Sequence, residues 1–264
     1  MVAKDPVAYG TAADPQGREA WERARRALQG GDHGAALPDL RTAVVQCPDL
    51  VRAHIAYQDV ARHLGGPAQQ EMLDYYRTLA ERDSPVPAYV KARLADTSYT
   101  QGVELQKILA RNSSFAWAHL SLGRLHRRQG HLQQASESLQ SAISLDGELS
   151  EARYERAEVF VELGRNDEAA RDFDAYLARV PDDDAALRAY VALLIYRLGR
   201  IDTAMGVLDR LEVRHAGDVE VRMHRAAAQW RGGDPRTAIS SYLAVLEAAP
   251  GESRAALNIG LIYY

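Results

Sequence analysis

The 264-residue chain has one cysteine, Cys47, and only three lysines, Lys4, Lys91 and Lys107. A single cysteine excludes an internal disulfide framework and any cysteine-rich zinc site. With so little lysine, most of the 32 basic residues are arginine, a skew that points to a high-GC bacterial genome without carrying any mechanism. No apolar run approaches the roughly 18 residues of a membrane span. The start, "MVAKDPVAYGTAADPQ", has no apolar signal core, so the expectation is a soluble chain, with the cytoplasm favoured. A leader removed ahead of residue 1 would leave the same start, which keeps a periplasmic location open. A net charge of -4 provides no global positive field for nucleic acid or anionic lipid. At 47% apolar residues the chain can bury a substantial core, and disorder over its length is excluded.

What the chain has instead is a period. Gly130, Gly164, Gly199 and Gly233 recur every 34 or 35 residues, each closing an apolar-periodic segment. Ala135, Ala169, Ala204 and Ala238 follow five residues later, and Gly31 with Ala36 joins the series. Four residues further on stands a bulky side chain: Leu40, Leu139, Phe173, Leu208 or Tyr242. Pro48, Pro181 and Pro250 fall twelve residues after the alanine. The spacing is helical. A glycine that adopts the left-handed backbone ends a first helix, a nearby Asp, Asn or Gln caps the second, and the proline stops it. "GGD" at 30–32 and 232–234 is therefore turn punctuation. It is not a phosphate loop, because no strand precedes it and no Gly-Lys-Ser/Thr follows.

This pattern resembles the tetratricopeptide repeat, a 34-residue helix pair with the signature W-x₂-L-G-x₂-Y, A-x₃-F, P. "ALNIGLIYY", 256–264, is similar to the opening of that signature. The resemblance covers residues 17–264, in units 17–50, 51–86, 87–115, 116–149, 150–184, 185–218 and 219–252 and a half unit, 253–264, behind a flexible tail at 1–16. The small residue of each first helix falls at Ala24, Gly123, Ala157, Ala192, Ala226 and Gly260. Units two and three depart, with Gln58 and Leu94 at that position, Met72 in place of the later alanine, and a third unit about five residues short. Leucine at Gln58 is expected to cost less than at Ala157. The resemblance implies an all-α, right-handed superhelical solenoid with its first helices lining a concave groove.

Chemical motifs are sparse. The eight histidines form no His-Glu-x-x-His and no i, i+4 pair, so neither a metal nor another cofactor is expected. His119 and His126 read as packing residues at the consensus tryptophan and tyrosine positions. The run Asp182-Asp183-Asp184 suits the start of a helix and lacks the alternating ligands of a calcium loop. No carboxylate pair or nucleophile with its base stands out, so no enzyme is expected.

In the resembled family the second, fifth, sixth, ninth, twelfth and thirteenth residues of each first helix face the groove. Those positions give a basic strip that includes Trp117, Arg124, Arg127 and Arg128, and an acidic strip that includes Tyr154, Glu155 and Glu158. Units six and seven contribute Tyr190, Tyr196, Met223, His224 and Trp230. Aromatics, methionine and arginine suit partner contact, while packing between helices serves the same residues equally well. The lysine and asparagine clamp that holds a chaperone's terminal carboxylate is absent: the corresponding positions are Trp21, Arg25, Ala56, Ala88 and Ala92. Glu151, Glu155, Glu158 and Glu162 in mid-groove argue against base-reading RNA repeats. The expected function is a non-catalytic module binding a peptide or helix of a protein partner. The alternatives are a scaffold that self-associates through Leu257, Leu261 and Tyr264 at its C-terminal end, or one arm of a larger enzyme.

Overall fold

The computed structural model describes residues 14–79 and 84–264. Most of the tail expected at 1–16 thus lies outside the described residues. The described chain is all-α, with no strand. Among the described residues fourteen helices run in order: α1 (Pro15–Gln29), α2 (His33–Gln46), α3 (Val51–Leu64), α4 (Gly66–Thr78), α5 (Val86–Ala92), α6 (Ser98–Arg111), α7 (Ala116–Arg128), α8 (Leu132–Leu145), α9 (Ser150–Glu162), α10 (Asn166–Leu177), α11 (Asp184–Leu193), α12 (Ile201–Arg214), α13 (Val219–Arg231) and α14 (Pro235–Ala248). A last helix, α15 (Ser253–Tyr263), follows.

The turns form for the reasons the period supplies. Gly31, Gly130, Gly164, Gly199 and Gly233 all have φ between 65° and 89°, the left-handed region that glycine enters without steric cost. Each "GGD" ends in a cap: Asp32 accepts from the Ala35 amide at 2.8 Å and Asp234 from the Thr237 amide at 3.1 Å. Ala36, Ala135, Ala169, Ala204 and Ala238 are fully buried, as are Leu40, Leu139, Phe173, Leu208 and Tyr242 one turn later. The alanine lets the neighbouring helix approach, and the large side chain fills the space beside it.

The described residues form two compact units, residues up to 129 with 141–148, and 130–140 with 149–264. In the first, α1 packs on α2, α2 on α3, α3 on α4 and α5, and α6 on both α5 and α7. Cys47 is a packing residue here: a Cβ placed on Gly17 would meet its Sγ at 2.2 Å. The short third unit is short because α5 has only seven residues. Its contacts with α3 are partly polar. Gln58, fully buried, donates to the Val90 carbonyl at 2.8 Å and accepts from Arg93 Nε at 3.0 Å. The expectation of tolerance at Gln58 is therefore corrected: two polar groups from α5 and its C-terminal end depend on that side chain.

In the second unit α9 packs on α10, α10 on α11, α11 on α12 and α13, α12 on α13, α13 on α14, and α14 on α15. Bonds from arginine or tyrosine to an aspartate sixteen residues away tie several successive helices. Arg156 of α9 grips Asp172 of α10 through two 2.7 Å bonds, Arg225 of α13 reaches Asp209 of α12 at 2.7 Å, and Tyr190 of α11 donates to Asp174 of α10 at 2.7 Å. In the first unit, Arg23 and Asp39 repeat the pattern. Among the described residues no helix is long and apolar enough to cross a membrane.

Candidate functional site

The strongest candidate surface of the second unit is built on the first helices α11, α13 and α15. The 35-residue step between Gly164 and Gly199 decides how α11 presents its side chains. From N-cap to turn glycine, Leu149 to Gly164 and Asp218 to Gly233 span fifteen residues, but Asp183 to Gly199 spans sixteen. The extra residue is absorbed in a π-helical turn, Leu194–Leu198, that continues α11. A single-residue insertion in a helix commonly takes this form. Before the turn, the register counted from 185 is one residue out of step, so Tyr190 occupies the place of Arg225 in α13. It is 3% exposed, its ring lies 5.6 Å from that of Phe173, and its hydroxyl is bound to Asp174. Tyr190 is core, contrary to its expected groove position. After the turn the count is restored, and Tyr196 emerges 43% exposed with Arg197 beside it in the open.

Around Tyr196 the neighbouring helix closes in. Its hydroxyl lies 3.3 Å from His224 Nδ1 of α13, and the Arg231 guanidinium sits 5.4 Å above its ring. Burial pushes the His224 pKa down, Glu220 opposes the shift, and Arg188 and Arg254 reinforce it. The neutral ring can therefore accept a hydrogen bond from the Tyr196 hydroxyl at Nδ1. Burial likewise raises the Tyr196 hydroxyl, against the opposing charges of Arg231 and Arg254. Trp230 is half-buried on a cluster of Met223, Ala226, Ala238, Tyr242, Val245 and Ala255. Met223 is itself 7% exposed and belongs to that core rather than to an open face.

On α15, Ile259 and Ile262 pack against the same cluster. Leu257, Leu261 and Tyr264, two residues out of step with the buried positions, are 63%, 51% and 111% exposed. They recur at i, i+4 and i+7, forming a stripe on the opposite side of the helix.

The other expected residues divide. Trp117 is 7% exposed and is covered by the Arg52 guanidinium at 5.7 Å. Arg128 donates to Gln101 at 3.1 Å. Arg124, Arg127, Glu155 and Glu158 are half-buried and all take part in polar interactions, so neither strip consists of free charges. The Tyr154 ring packs 5.3 Å from Tyr176 and 6.0 Å from Phe173. Arg197 and Arg231, which the groove positions of units six and seven also include, each directly follow an aromatic at the same place in consecutive units.

A family model for the tetratricopeptide repeat matches residues 120–184, 154–219 and 224–264. The chain belongs to the tetratricopeptide repeat family. No curated protein matches it. Among solved structures, this tetratricopeptide repeat chain is similar to YrrB, described as a TPR protein with an unusual peptide-binding site, at 23% identity, TM-score 0.52, and 60% coverage of this chain and 81% of that one. It is similar to MamA at 16% identity and TM-score 0.55, covering 67% and 99%. PilW, a type IV pilus biogenesis factor, aligns at 19% identity and TM-score 0.52, covering 80% and 98%. At these identities the likeness shows a shared fold. Repeats of this family are protein-interaction modules and generally non-catalytic.

Proposed function

We propose that this tetratricopeptide repeat chain is a non-catalytic adaptor whose first-helix face on α11, α13 and α15 binds a segment of a partner protein, as an extended peptide or a helix. One observation carries the reading. Tyr196 stands open against His224 and Arg231 of α13, half-buried Trp230 holds the equivalent place on α13, and Leu257 and Leu261 are exposed on the next first helix. Large aromatic and apolar groups held on rigid helices offer contact area at small entropic cost. A structural neighbour, YrrB, is described as having a peptide-binding site, which is compatible with this use of the fold. The test is capture of a partner from source cells, repeated with Tyr196→Ala and Trp230→Ala. Capture lost in variants with an unchanged helical circular-dichroism signal and melting curve supports the reading; capture retained by both overturns it.

The stripe Leu257, Leu261 and Tyr264 favours a second reading, in which a second copy covers α15. Under it, the mass measured by light scattering rises with concentration.

A further inference from the structure

Arg197 and Arg231 occupy the same place in consecutive repeats, each directly after an aromatic, Tyr196 and Trp230. Both are exposed, and among the described residues neither has a carboxylate partner. Neighbouring arginines are committed: Arg188 to Asp218 at 2.7 Å, Arg225 to Asp209 and Glu212 at 2.7 Å each, and Arg254 to Glu252 at 2.8 Å. Local folding does not require the open pair in the same way. A helix C-terminus favours a cation, which accounts for positive charge at Arg197 and Arg231 alike but not for the place of Arg231 over the Tyr196 ring. The Arg231 guanidinium lies over that ring, 5.4 Å from the centroid, a contact that uses no N–H for a carboxylate and so leaves donors for bidentate bonding. The π-helical turn that absorbs the extra residue of α11 is what brings Tyr196 and Arg197 into line with Trp230 and Arg231.

We propose that Arg197 and Arg231, set beside Tyr196 and Trp230, select partner segments that carry two carboxylates flanked by apolar or aromatic side chains. The proposal rests on the groove reading above and names its ligand chemistry. Adjacent packed helices lie roughly 10 Å apart. An extended polyproline-like segment advances about 3.1 Å per residue and returns to the same face every third residue, so carboxylates three apart match that spacing. A net charge of -4 supplies no general attraction for an acidic partner, so attraction has to come from local positive features such as this one.

The experiment is selection of random twelve-residue peptides displayed on phage against the full chain, followed by fluorescence anisotropy of the selected peptides with Arg197→Glu/Arg231→Glu, Trp230→Ala and the unmodified protein. The expected peptides are enriched in Asp and Glu three residues apart beside Leu, Phe or Trp. Their binding falls roughly tenfold or more in the double arginine variant and weakens with added salt. Acidic peptides bound equally by the double variant overturn the proposal. Selected peptides with no acidic excess that lose binding in Trp230→Ala overturn the acid selection and leave the groove reading standing. Recovery of no peptide overturns both. Tight binding of a single-stranded oligonucleotide, abolished in the double variant, assigns the pair to nucleic acid and overturns the peptide ligand. A dimer dissociated by the double variant assigns the face to a second copy instead.

Discussion

The Tyr76 hydroxyl lies 2.9 Å from His54 Nδ1, fully inside the α3–α4 pair, while His54 Nε2 lies 3.0 Å from the Pro48 carbonyl. With Nε2 donating and Nδ1 accepting, the neutral ring is satisfied at both nitrogens. Burial lowers the His54 pKa to about 4, against smaller raising effects from the Pro48 carbonyl and Asp49. Above pH 6.5 the ring is neutral in both folded and unfolded chains. Between 6.5 and about 4 only the unfolded chain takes up the proton, so stability falls as the pH falls, by about 3 kcal/mol at most, and levels off below. Melting temperatures measured across this window should show the decline. His54→Gln should flatten it, even if its starting stability is lower.

Gln58→Leu should destabilise the first unit by about 1–3 kcal/mol, because it strands the Val90 carbonyl and an Arg93 N–H in the interior. Urea unfolding checks this, and a neutral result would mean that water reaches both groups.

Ala157→Leu should cost about 1–3 kcal/mol, since Ala157 is fully buried among Phe160, Phe173 and Tyr190 in one cluster. Arg156→Ala should cost about 3–5 kcal/mol, because it leaves Asp172, 6% exposed, without its bidentate partner. Arg156→Ala/Asp172→Ala should recover part of that loss. Calorimetric melting of these two variants and of Asp172→Ala decides whether the two residues act as a pair.

Tyr190 and Trp230 separate packing from binding. Tyr190→Phe removes only the bond to Asp174, so about 1 kcal/mol of stability should go while partner capture is unchanged. Trp230→Ala should weaken capture by about 2 kcal/mol or more. Affinity and melting temperature measured on the same samples distinguish the two effects, and equal losses at both sites would show that binding merely follows stability.

A polar helix designed to follow Tyr264 and to cover Leu257 and Leu261 should turn any concentration-dependent assembly into a monomer by light scattering. If the unextended chain is already monomeric at high micromolar concentration, the second-copy reading of this end fails.

The period of glycines, alanines and bulky residues determined the helix pairs, because a left-handed turn and a close helix contact each admit few residue types, and those types are visible as letters. Asp32 and Asp234 were legible as caps for the same reason. Tertiary structure alone decided which aromatics face outward. One extra residue in α11 had to be placed somewhere, and only the packing of that helix put it in the turn 194–198, which buries Tyr190 and exposes Tyr196. The same holds for Gln58 and Arg156. A polar side chain at a packing position looks like a departure from the repeat until its partner, 32 residues on at Val90 or sixteen at Asp172, is seen to complete it. Sequence spacing fixes where such groups lie along a helix, whereas hydrogen-bond satisfaction depends on which helix is laid against it.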